Sequence, residues 1–265
     1  MKLAEKVIVI TGGAGGIGSV ISRFFTAEGA RVVVFDMDGT TLPEEGFHVD
    51  VADYHAVSEA VLAVLGRFWR IDGLVNCAGI QAPIGPFATN DMAEWRANIM
   101  VNLLGTVHMC RAVVPEMMRQ KEGFIINFSG GGASSARVNF SAYASAKTAI
   151  VRFTETLADE LRSYGVRVNA VAPGAVNTRM LDEVLGVGER AGDAERAAAE
   201  QRAKDGGTPP ELVAELAVFL ASRDSGNLSG RLVSAVWDNW KTWTKEDIAK
   251  IMAGESLTLR RVAYP

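Results

Sequence analysis

Tyr143 and Lys147 stand four residues apart in a stretch predicted to be helical from about Phe140 to Tyr164. Residues i and i+4 lie on one face of a helix, so the two side chains are expected to be neighbours. A phenol has an ordinary pKa of about 10, and a nearby ammonium group favours the phenolate and lowers that pKa. Such a pair can act as a general acid and base. A solvated Tyr–Lys pair without a function has the same spacing, so the rest of the chain must distinguish the two interpretations.

A glycine-rich loop near the N-terminus joins a predicted strand, Val7–Ile10, to a predicted helix, Ser19–Glu28. Glycine lets the main chain approach a pyrophosphate, and the N-terminus of the helix supplies N–H donors. The loop fits two phosphate-binding patterns, G-x-G-x-x-G through Gly13, Gly15 and Gly18, and G-x-x-x-G-x-G through Gly12, Gly16 and Gly18. The spacing alone does not choose between them, and a plain glycine turn is the alternative to a nucleotide site.

Asp36 follows the second predicted strand, Arg31–Phe35. An acidic residue about 20 residues beyond the glycine loop typically binds the hydroxyl groups of the adenosine ribose. Its carboxylate would repel a 2′-phosphate, so Asp36 favours NAD over NADP. The alternative is an aspartate that only caps its loop.

The remaining predicted strands alternate with predicted helices, which indicates an α/β fold with a single Rossmann-type, doubly wound parallel sheet flanked by helices. These strands are Phe47–Val49, Ile71–Val75, Phe124–Phe128, Arg167–Ala172 and Leu232–Val236. The helices between them are Asp53–Phe68, Asp91–Arg119, Phe140–Tyr164 and Glu211–Ser222. Residues 1–265 are expected to form one domain. Open sheets of this kind bind ligands at the carboxyl ends of their strands.

Composition excludes several classes of function. The chain has 265 residues, a hydrophobic content of 48% and a net charge of −4, which gives no reason to expect nucleic-acid binding. Cys77 and Cys110 are too few for a disulfide framework or a metal site and are expected to be buried thiols. No apolar run looks long enough to span a membrane or to form a signal peptide, so a cytoplasmic location is expected.

The predicted helix from Asp91 to Arg119 is apolar on nearly every side between Ile99 and Met109. Such a helix must be buried on more than one face, and one explanation is a contact between subunits of a homo-oligomer. Asn102 is a polar residue in this setting and needs a hydrogen-bond partner. It could equally be a satisfied buried amide without a function.

These motifs together resemble the short-chain dehydrogenase/reductase family over nearly everything from Lys6 to about Leu232. The matching positions, in chain order, are Thr11–Gly18, Asp36, Asp50–Val51, Asn76–Gly79, Asn102, Tyr143 with Lys147, and Pro173–Gly174 with Thr178. In that family the glycine pattern is read through Gly12, Gly16 and Gly18. The resemblance implies an NAD-dependent oxidoreductase that is a tetramer or a dimer.

The resemblance also implies a cofactor site. The residues that would wrap the pyrophosphate are Gly12, Gly16, Ile17 and Gly18. Asp36 would bind the adenosine ribose, and Asp50 with Val51 would contact the adenine. Asn76, Ala78 and Gly79 would support the cofactor from beneath. Pro173, Gly174, Val176 and Thr178 would complete the site, with Val176 and Thr178 facing the carboxamide.

The catalytic roles implied by the resemblance fall on few residues. Tyr143 would be the acid/base, Lys147 would lower its pKa and bind the nicotinamide ribose, and Asn102 would hold a water in a proton relay. The family usually places a substrate-binding serine thirteen residues before the tyrosine, but that position here is Gly130. A one-residue bulge could bring Ser129 into the site, which is our preferred hypothesis. Otherwise another serine (Ser134, Ser135 or Ser141) replaces it, or the hydrogen bond is absent.

One further segment, the lid, is expected to select the substrate, and another, the C-terminal tail, departs from the family pattern. A lid is expected at Asn177–Thr208, in which Ala191–Lys204 has little apolar surface to bury and should be mobile until a ligand binds. The tail at 237–265 has a predicted helix, Lys245–Met252, and places tryptophans where the family commonly has Asp-Gly-Gly. Trp237, Trp240 and Trp243 could stack on a sugar ring, or pack in the core or in a subunit contact.

The sequence therefore predicts an NAD-dependent oxidoreductase that interconverts a secondary alcohol and a ketone on a small polar molecule. A sugar, a polyol or a natural-product intermediate would fit. One alternative is an epimerase or lyase with tightly bound NAD. The other is a non-catalytic nucleotide-binding protein. This alternative is suggested by the glycine at position 130, where the family usually has its substrate-binding serine.

Overall fold

The computed structural model describes residues 1–38 and 42–261. The rest, including part of the predicted loop Met37–Gly46 and the end of the predicted tail, lies outside the described residues. One parallel sheet of seven strands runs through the described chain, in the order β3-β2-β1-β4-β5-β6-β7. Its strands are β1 (Val7–Thr11), β2 (Arg31–Asp36), β3 (Phe47–His48), β4 (Gly73–Asn76), β5 (Gly123–Phe128), β6 (Val166–Ala172) and β7 (Leu232–Ser234). The fold predicted from the sequence is confirmed.

The α-helices cover both faces of this sheet. They are α1 (Gly16–Ala27), α2 (Tyr54–Phe68), α3 (Met92–Ile99), α4 (Gly105–Gln120), α5 (Ser141–Leu161), α6 (Arg179–Val187), α7 (Asp193–Asp205), α8 (Pro210–Ala221) and α9 (Lys245–Ala253). Alternate residues of β1 face opposite sides of the sheet, and both sides are covered by helices. Ile8 and Ile10 pack with α1 and α8. Val7 and Val9 instead pack with α2, α4 and α5. Parallel strands buried on both faces read as continuous β-branched runs for this reason.

The helix predicted as one piece from Asp91 to Arg119 is interrupted. α3 and α4 are joined by a π-helical turn, Met100–Leu104, which contains Asn102. A π-helical turn closes its hydrogen bonds five residues apart, and such turns occur frequently at functional sites. Hydrophobic spacing cannot reveal such a turn here, because this segment is apolar on nearly every side. The pattern would look the same with an α-helical or a π-helical turn.

By length and composition alone, the combined helix Met92–Gln120 could cross a membrane, although no such segment was expected from the sequence. A helix in the core of a folded domain can have the same composition. Met109, Val113 and Met117 on α4 are fully buried against the sheet and α2, which explains much of the apolar content.

The predicted lid consists of α6, a 3₁₀ turn at Gly188–Ala191 and α7. In agreement with its composition, α7 buries only one residue, Ala199. The mobility expected for Ala191–Lys204 stays a prediction.

The tryptophans of the tail have different surroundings. Trp240 is buried, its ring centroid lies 5.7 Å from that of Phe219, and its indole N–H donates to the Ala235 carbonyl at 3.3 Å. Trp243 packs on the same phenyl ring at 6.3 Å. Trp237 is 84% exposed and lies at the rim of a large cavity. The core interpretation therefore describes Trp240 and Trp243, and only Trp237 is placed to meet a ligand.

Candidate active site

A cavity of about 590 Å³ lies at the carboxyl edge of the sheet, between the strand ends and the lid. The loops that follow β4, β5 and β6 form its floor, and α6 and α7 form its outer wall. The predicted site residues that line it are Ile17, Gly79, Ser129, Tyr143, Lys147, Pro173, Gly174, Val176 and Thr178. The fold thus brings together residues that are far apart in the sequence.

Three glycines of the N-terminal loop are required by the main chain around them. A Cβ atom on Gly12, whose φ is +67°, would lie 2.8 Å from the main chain of Ala78. A Cβ on Gly18 would lie 2.2 Å from the carbonyl oxygen of Gly12, and Gly16 has a φ of +50°. Gly15, by contrast, has open space where its Cβ would be. The structure therefore favours the pattern through Gly12, Gly16 and Gly18.

The same loop presents free hydrogen-bond donors. α1 begins at Gly16, and no side chain caps its first turn. Because the first N–H groups of a helix have no partner within the helix, this end of α1 is suited to bind an anion such as a pyrophosphate.

Asp36 stabilises the glycine loop. Its carboxylate accepts a hydrogen bond from the Ala14 amide at 3.0 Å and another from the Asp38 amide at 3.1 Å. The loop-capping role considered for Asp36 is therefore present in the structure. Its predicted contact with the adenosine ribose is compatible with this position and stays a prediction.

The other residues predicted to support the cofactor lie under the glycine loop or beside it. Asn76 is buried and donates to the side chain of Asn127 at 2.9 Å. The hydroxyl of Thr11 accepts hydrogen bonds from the main-chain amides of Cys77 and Ala78 at 3.2 and 3.1 Å. Thr11 thus holds the end of β4 against the loop, a role that was not predicted from the sequence.

Asp50 and Val51, predicted to contact the adenine, follow the short strand β3. The carboxylate of Asp50 accepts from the Ala52 amide at 2.9 Å, and the carbonyl of Val51 lies 3.0 Å from the imidazole Nδ1 of His108. Val51 also packs closely against Gly105, where a Cβ would come within 2.6 Å of it. These two residues do not line the cavity, and their predicted contact with the adenine stays a prediction.

Tyr143 and Lys147 are both buried on α5, and the lysine ammonium lies 5.5 Å from the centroid of the phenol ring. The ammonium group donates to the Phe128 carbonyl at 2.9 Å. Burial lowers the pKa of Lys147 to about 8 and raises the pKa of Tyr143 to about 12. Desolvation of the phenolate outweighs the opposing charge of Arg137, and the lowering of the tyrosine pKa expected from Lys147 stays a prediction.

Asn102 is a fully buried amide with several partners. Its Nδ2 donates to the Ile80 carbonyl and to Asn98 Oδ1, each at 2.8 Å, and its Oδ1 accepts from the Ile80 amide at 3.3 Å. Gly79 must be a glycine, since a Cβ there would lie 2.7 Å from Asn102 Oδ1. Asn102 thus fixes the loop after β4, and its predicted water-holding role stays a prediction.

The absence of a serine at position 130 has a geometric basis. A Cβ on Gly130 would lie 2.4 Å from the hydroxyl oxygen of Tyr143, so a side chain there would displace the tyrosine. Ser129 is 3% exposed, lines the cavity and has a hydroxyl without a hydrogen-bond partner among the described residues. Ser141 is already bound to the indole N–H of Trp95 at 3.2 Å. A buried hydroxyl without a partner is costly, so Ser129 is suited to bind a ligand.

Arg137 lines the cavity beside Tyr143 and was not identified from the sequence. It forms a two-pronged ion pair with Glu195, a residue 58 positions later in the chain. No local pattern signals a pair at that separation, so only the fold reveals it. Among residues 1–38 and 42–261, no group of three or more His, Cys, Asp or Glu side chains could hold a metal ion.

Comparison with known proteins agrees with this arrangement. Residues 6–186 match the family model for short chain dehydrogenases. The chain therefore belongs to the short-chain dehydrogenase family, whose members are oxidoreductases that use NAD or NADP.

Three relatives indicate the breadth of this family. The short-chain reductase protein NovJ of Streptomyces niveus is 39% identical, over 86% of this chain and 92% of that protein. The D-threitol dehydrogenase of Mycolicibacterium smegmatis is 33% identical, over 86% and 90%. The crystal structure of an NAD⁺-bound xylitol dehydrogenase superposes with a TM-score of 0.82 at 25% identity, covering 88% of this chain and 98% of that one.

Proposed function

We propose that this oxidoreductase uses NAD to interconvert a secondary alcohol and a ketone on a small polar substrate. One observation carries the proposal: Tyr143 and Lys147 are buried side by side on the wall of a cavity that the glycine loop borders. A buried titratable pair in a cleft is the arrangement expected of an acid/base site.

Tyr143 exchanges a proton with the substrate oxygen at its hydroxyl. In the direction of alcohol oxidation its phenolate accepts that proton, and in ketone reduction its phenol donates it. The ammonium of Lys147 uses one donor on the Phe128 carbonyl, which leaves two donors for the ribose of the cofactor. A bound nicotinamide supplies the hydride chemistry.

Ser129 is proposed to donate a hydrogen bond to the substrate oxygen. Its hydroxyl is buried and unpaired, and it precedes Gly130, which contacts the tyrosine hydroxyl. A donor at this place would hold the oxygen between Ser129 and Tyr143 and would stabilise the charge that develops there. Asn102 is proposed to hold a water molecule in a proton relay that also includes Lys147.

Asp36 supports NAD rather than NADP. It is the acidic residue at the end of β2, within reach of the glycine loop through its bond to Ala14. A carboxylate at this position disfavours the 2′-phosphate of NADP. The NAD⁺-bound xylitol dehydrogenase, with which this chain shares its fold, is consistent with that preference.

The proposed substrates are sugars, polyols or natural-product intermediates. Relatives named for threitol and xylitol dehydrogenation act on polyols, and the cavity of this chain is lined by both polar and apolar residues. Exposed Trp237 at the rim could stack on a ring substrate.

We also propose a single-domain, cytoplasmic homo-oligomer, a dimer or tetramer, that binds neither nucleic acid nor membrane. The half-buried apolar side chains of Leu103, Leu104 and Val107 support the subunit contact. The acidic net charge of −4 supports the absence of nucleic-acid binding.

The test is NADH formation from NAD with pools of polyols, sugars and secondary alcohols. The Tyr143→Phe variant should lose about 100- to 10,000-fold in turnover, because it keeps the ring and removes the proton-transfer group. Tyr164→Phe, in the 3₁₀ turn that follows α5, is the matched control and should retain activity. A Tyr143→Phe enzyme with full turnover would refute the proposal, and NAD that stays bound without net reduction would favour an epimerase or lyase.

A further inference from the structure

Arg137 occupies a junction between three parts of the site. It lies in the loop between β5 and α5, and only 14% of its side chain is exposed. Its Nε and Nη2 donate to the two carboxylate oxygens of Glu195 on α7 at 2.8 and 2.9 Å. Its guanidinium carbon lies 3.7 Å from the ring centroid of Phe140 and 5.9 Å from that of Tyr143. One cation therefore contacts the loop, the catalytic helix and the lid.

Gln81 links the same guanidinium to the lid a second time. With its amide oriented to satisfy both of its polar atoms, the Gln81 oxygen accepts from Arg137 Nη1 and Nη2 at 3.0 and 3.2 Å. The amide nitrogen then donates to the Met180 carbonyl on α6 at 3.0 Å. This orientation follows from the hydrogen-bond network, as is usual for amide side chains. Both lid helices are thereby connected to Arg137.

Within the lid, α6 packs on the buried cluster around Tyr143 through Leu181 and Val184, whereas α7 has little such packing. α7 buries only Ala199, so apolar packing contributes little to holding this helix in place. A two-pronged, partly buried ion pair is stronger than an exposed one, because two parallel hydrogen bonds fix its geometry and water screens it less. The pairing also lowers the pKa of Glu195, chiefly through its hydrogen bond to Arg137. The carboxylate thus stays charged and paired at neutral pH.

We propose that Arg137 is a positioning residue, which fastens the lid over the substrate cavity through Glu195 and keeps a positive charge beside the ring of Tyr143. This inference rests on the proposed function for its kinetic part, since it concerns the substrate cavity of that reaction. It assigns a cause to lid closure that does not depend on which substrate is bound.

The charged and titratable groups around Tyr143 come from four elements. They are Lys147 on α5, Cys77 after β4, Glu195 on α7 and Arg137 before α5. Burial raises the tyrosine pKa most, the charge of Arg137 opposes that rise, and Cys77 adds to it. Removing the charge at position 137 should therefore raise the tyrosine pKa further, while a substitution that keeps the charge should not.

Hydrogen exchange of residues 193–205, measured on the full-length protein without substrate, tests the attachment of the lid. Arg137→Met and Glu195→Gln should each accelerate exchange there by about tenfold or more, the change expected on losing a charge-assisted pair. The double variant should exchange no faster than either single variant. Glu200→Gln is the matched control, because its pair with Arg196 is an exposed contact at 3.7 Å on the same helix. Unchanged exchange in Arg137→Met and Glu195→Gln, or equal acceleration in Glu200→Gln, would overturn the proposal.

Steady-state kinetics test the effect on Tyr143. Arg137→Met and Arg137→Lys should both raise the KM for the alcohol, while the KM for NAD stays within about twofold of wild type. In the oxidation direction, the rising limb of kcat/KM against pH should move to higher pH in Arg137→Met and should return toward wild type in Arg137→Lys. A shift in both variants or in neither would refute the electrostatic role. A wild-type protein without dehydrogenase activity would refute the proposed function instead, and the exchange experiment would still decide on the lid.

Discussion

The cofactor side and the lid side of the cavity are held together by different kinds of contact. On the cofactor side, the closest approaches are between main-chain atoms, such as Gly18 against the carbonyl of Gly12. On the lid side, α6 packs on the core, whereas α7 has little apolar packing and is bound through the ion pair of Arg137 with Glu195. The first arrangement leaves little room for added atoms, whereas the attachment of α7 depends on an ion pair that a single substitution removes.

This difference corresponds to what each side must do. A dinucleotide is common to the whole family, so a rigid cradle for its pyrophosphate suits every member. Substrates differ between members, and a lid held by side chains can be altered without disturbing the sheet. The comparison predicts that substitutions in the glycine loop affect cofactor binding before anything else, while substitutions in the lid affect the substrate.

On the cofactor side, the largest effect is expected from Gly18→Ala. The added methyl group would lie 2.2 Å from a main-chain oxygen that cannot rotate away. Overpacking of this kind costs about 3 kcal/mol, or about a 100-fold loss of NAD affinity, measured by calorimetric titration. Gly15→Ala is the matched control, since a Cβ there meets no atom within 4 Å and its φ is −143°. Equal affinities in the two variants would show that the cradle is not rigid.

Lys147→Met tests the cost of keeping the catalytic lysine buried. Its pKa falls from 10.5 to about 8 in the folded protein, so the unfolded chain binds more protons between these values and stability rises with pH across that range. Below about pH 8 the buried charge costs about 3 kcal/mol, from 1.36 kcal/mol for each pKa unit. Lys147→Met should therefore raise the free energy of unfolding at pH 7 by about that amount, and the gain should fade towards pH 10.5.

Denaturant unfolding at several pH values measures this difference. Lys250→Met, which removes an exposed lysine from α9, should show no comparable pH-dependent gain. A Lys147→Met protein that is less stable than wild type at pH 7 would mean that the hydrogen bond to Phe128 outweighs the desolvation of the ammonium.

The next effect lies on the substrate side, in Ser129→Ala. If its unpaired hydroxyl donates to the substrate oxygen, its loss should reduce kcat about 100-fold without changing NAD affinity. Ser135→Ala, which removes an exposed hydroxyl from the same cavity wall, should retain activity. Full turnover of Ser129→Ala would mean that the site works without a serine donor at this position.

The sequence predicted the sheet and the glycine loop better than the contacts between distant segments, for a physical reason. Strand periodicity and the glycine pattern are local signals, so the sheet, the loop and the Tyr143–Lys147 pair could all be inferred within short windows. The π-helical turn around Asn102 and the ion pair of Arg137 with Glu195 depend on how distant segments pack. The high pKa of Tyr143 likewise follows from burial, which no spacing of residues shows.

The smallest effect concerns the choice of cofactor, through Asp36→Asn. This variant keeps an acceptor for the glycine loop and removes the charge that should repel a 2′-phosphate. The repulsion between nearby exposed charges amounts to about 1 kcal/mol, so the ratio of NADP to NAD affinity should rise by about five- to tenfold. Asp53→Asn removes an equal charge at the N-terminus of α2, where its side chain caps the helix, and should leave the ratio unchanged. If Asp36→Asn also leaves the ratio unchanged, Asp36 serves only to cap its loop and the cofactor preference must come from another part of the cradle.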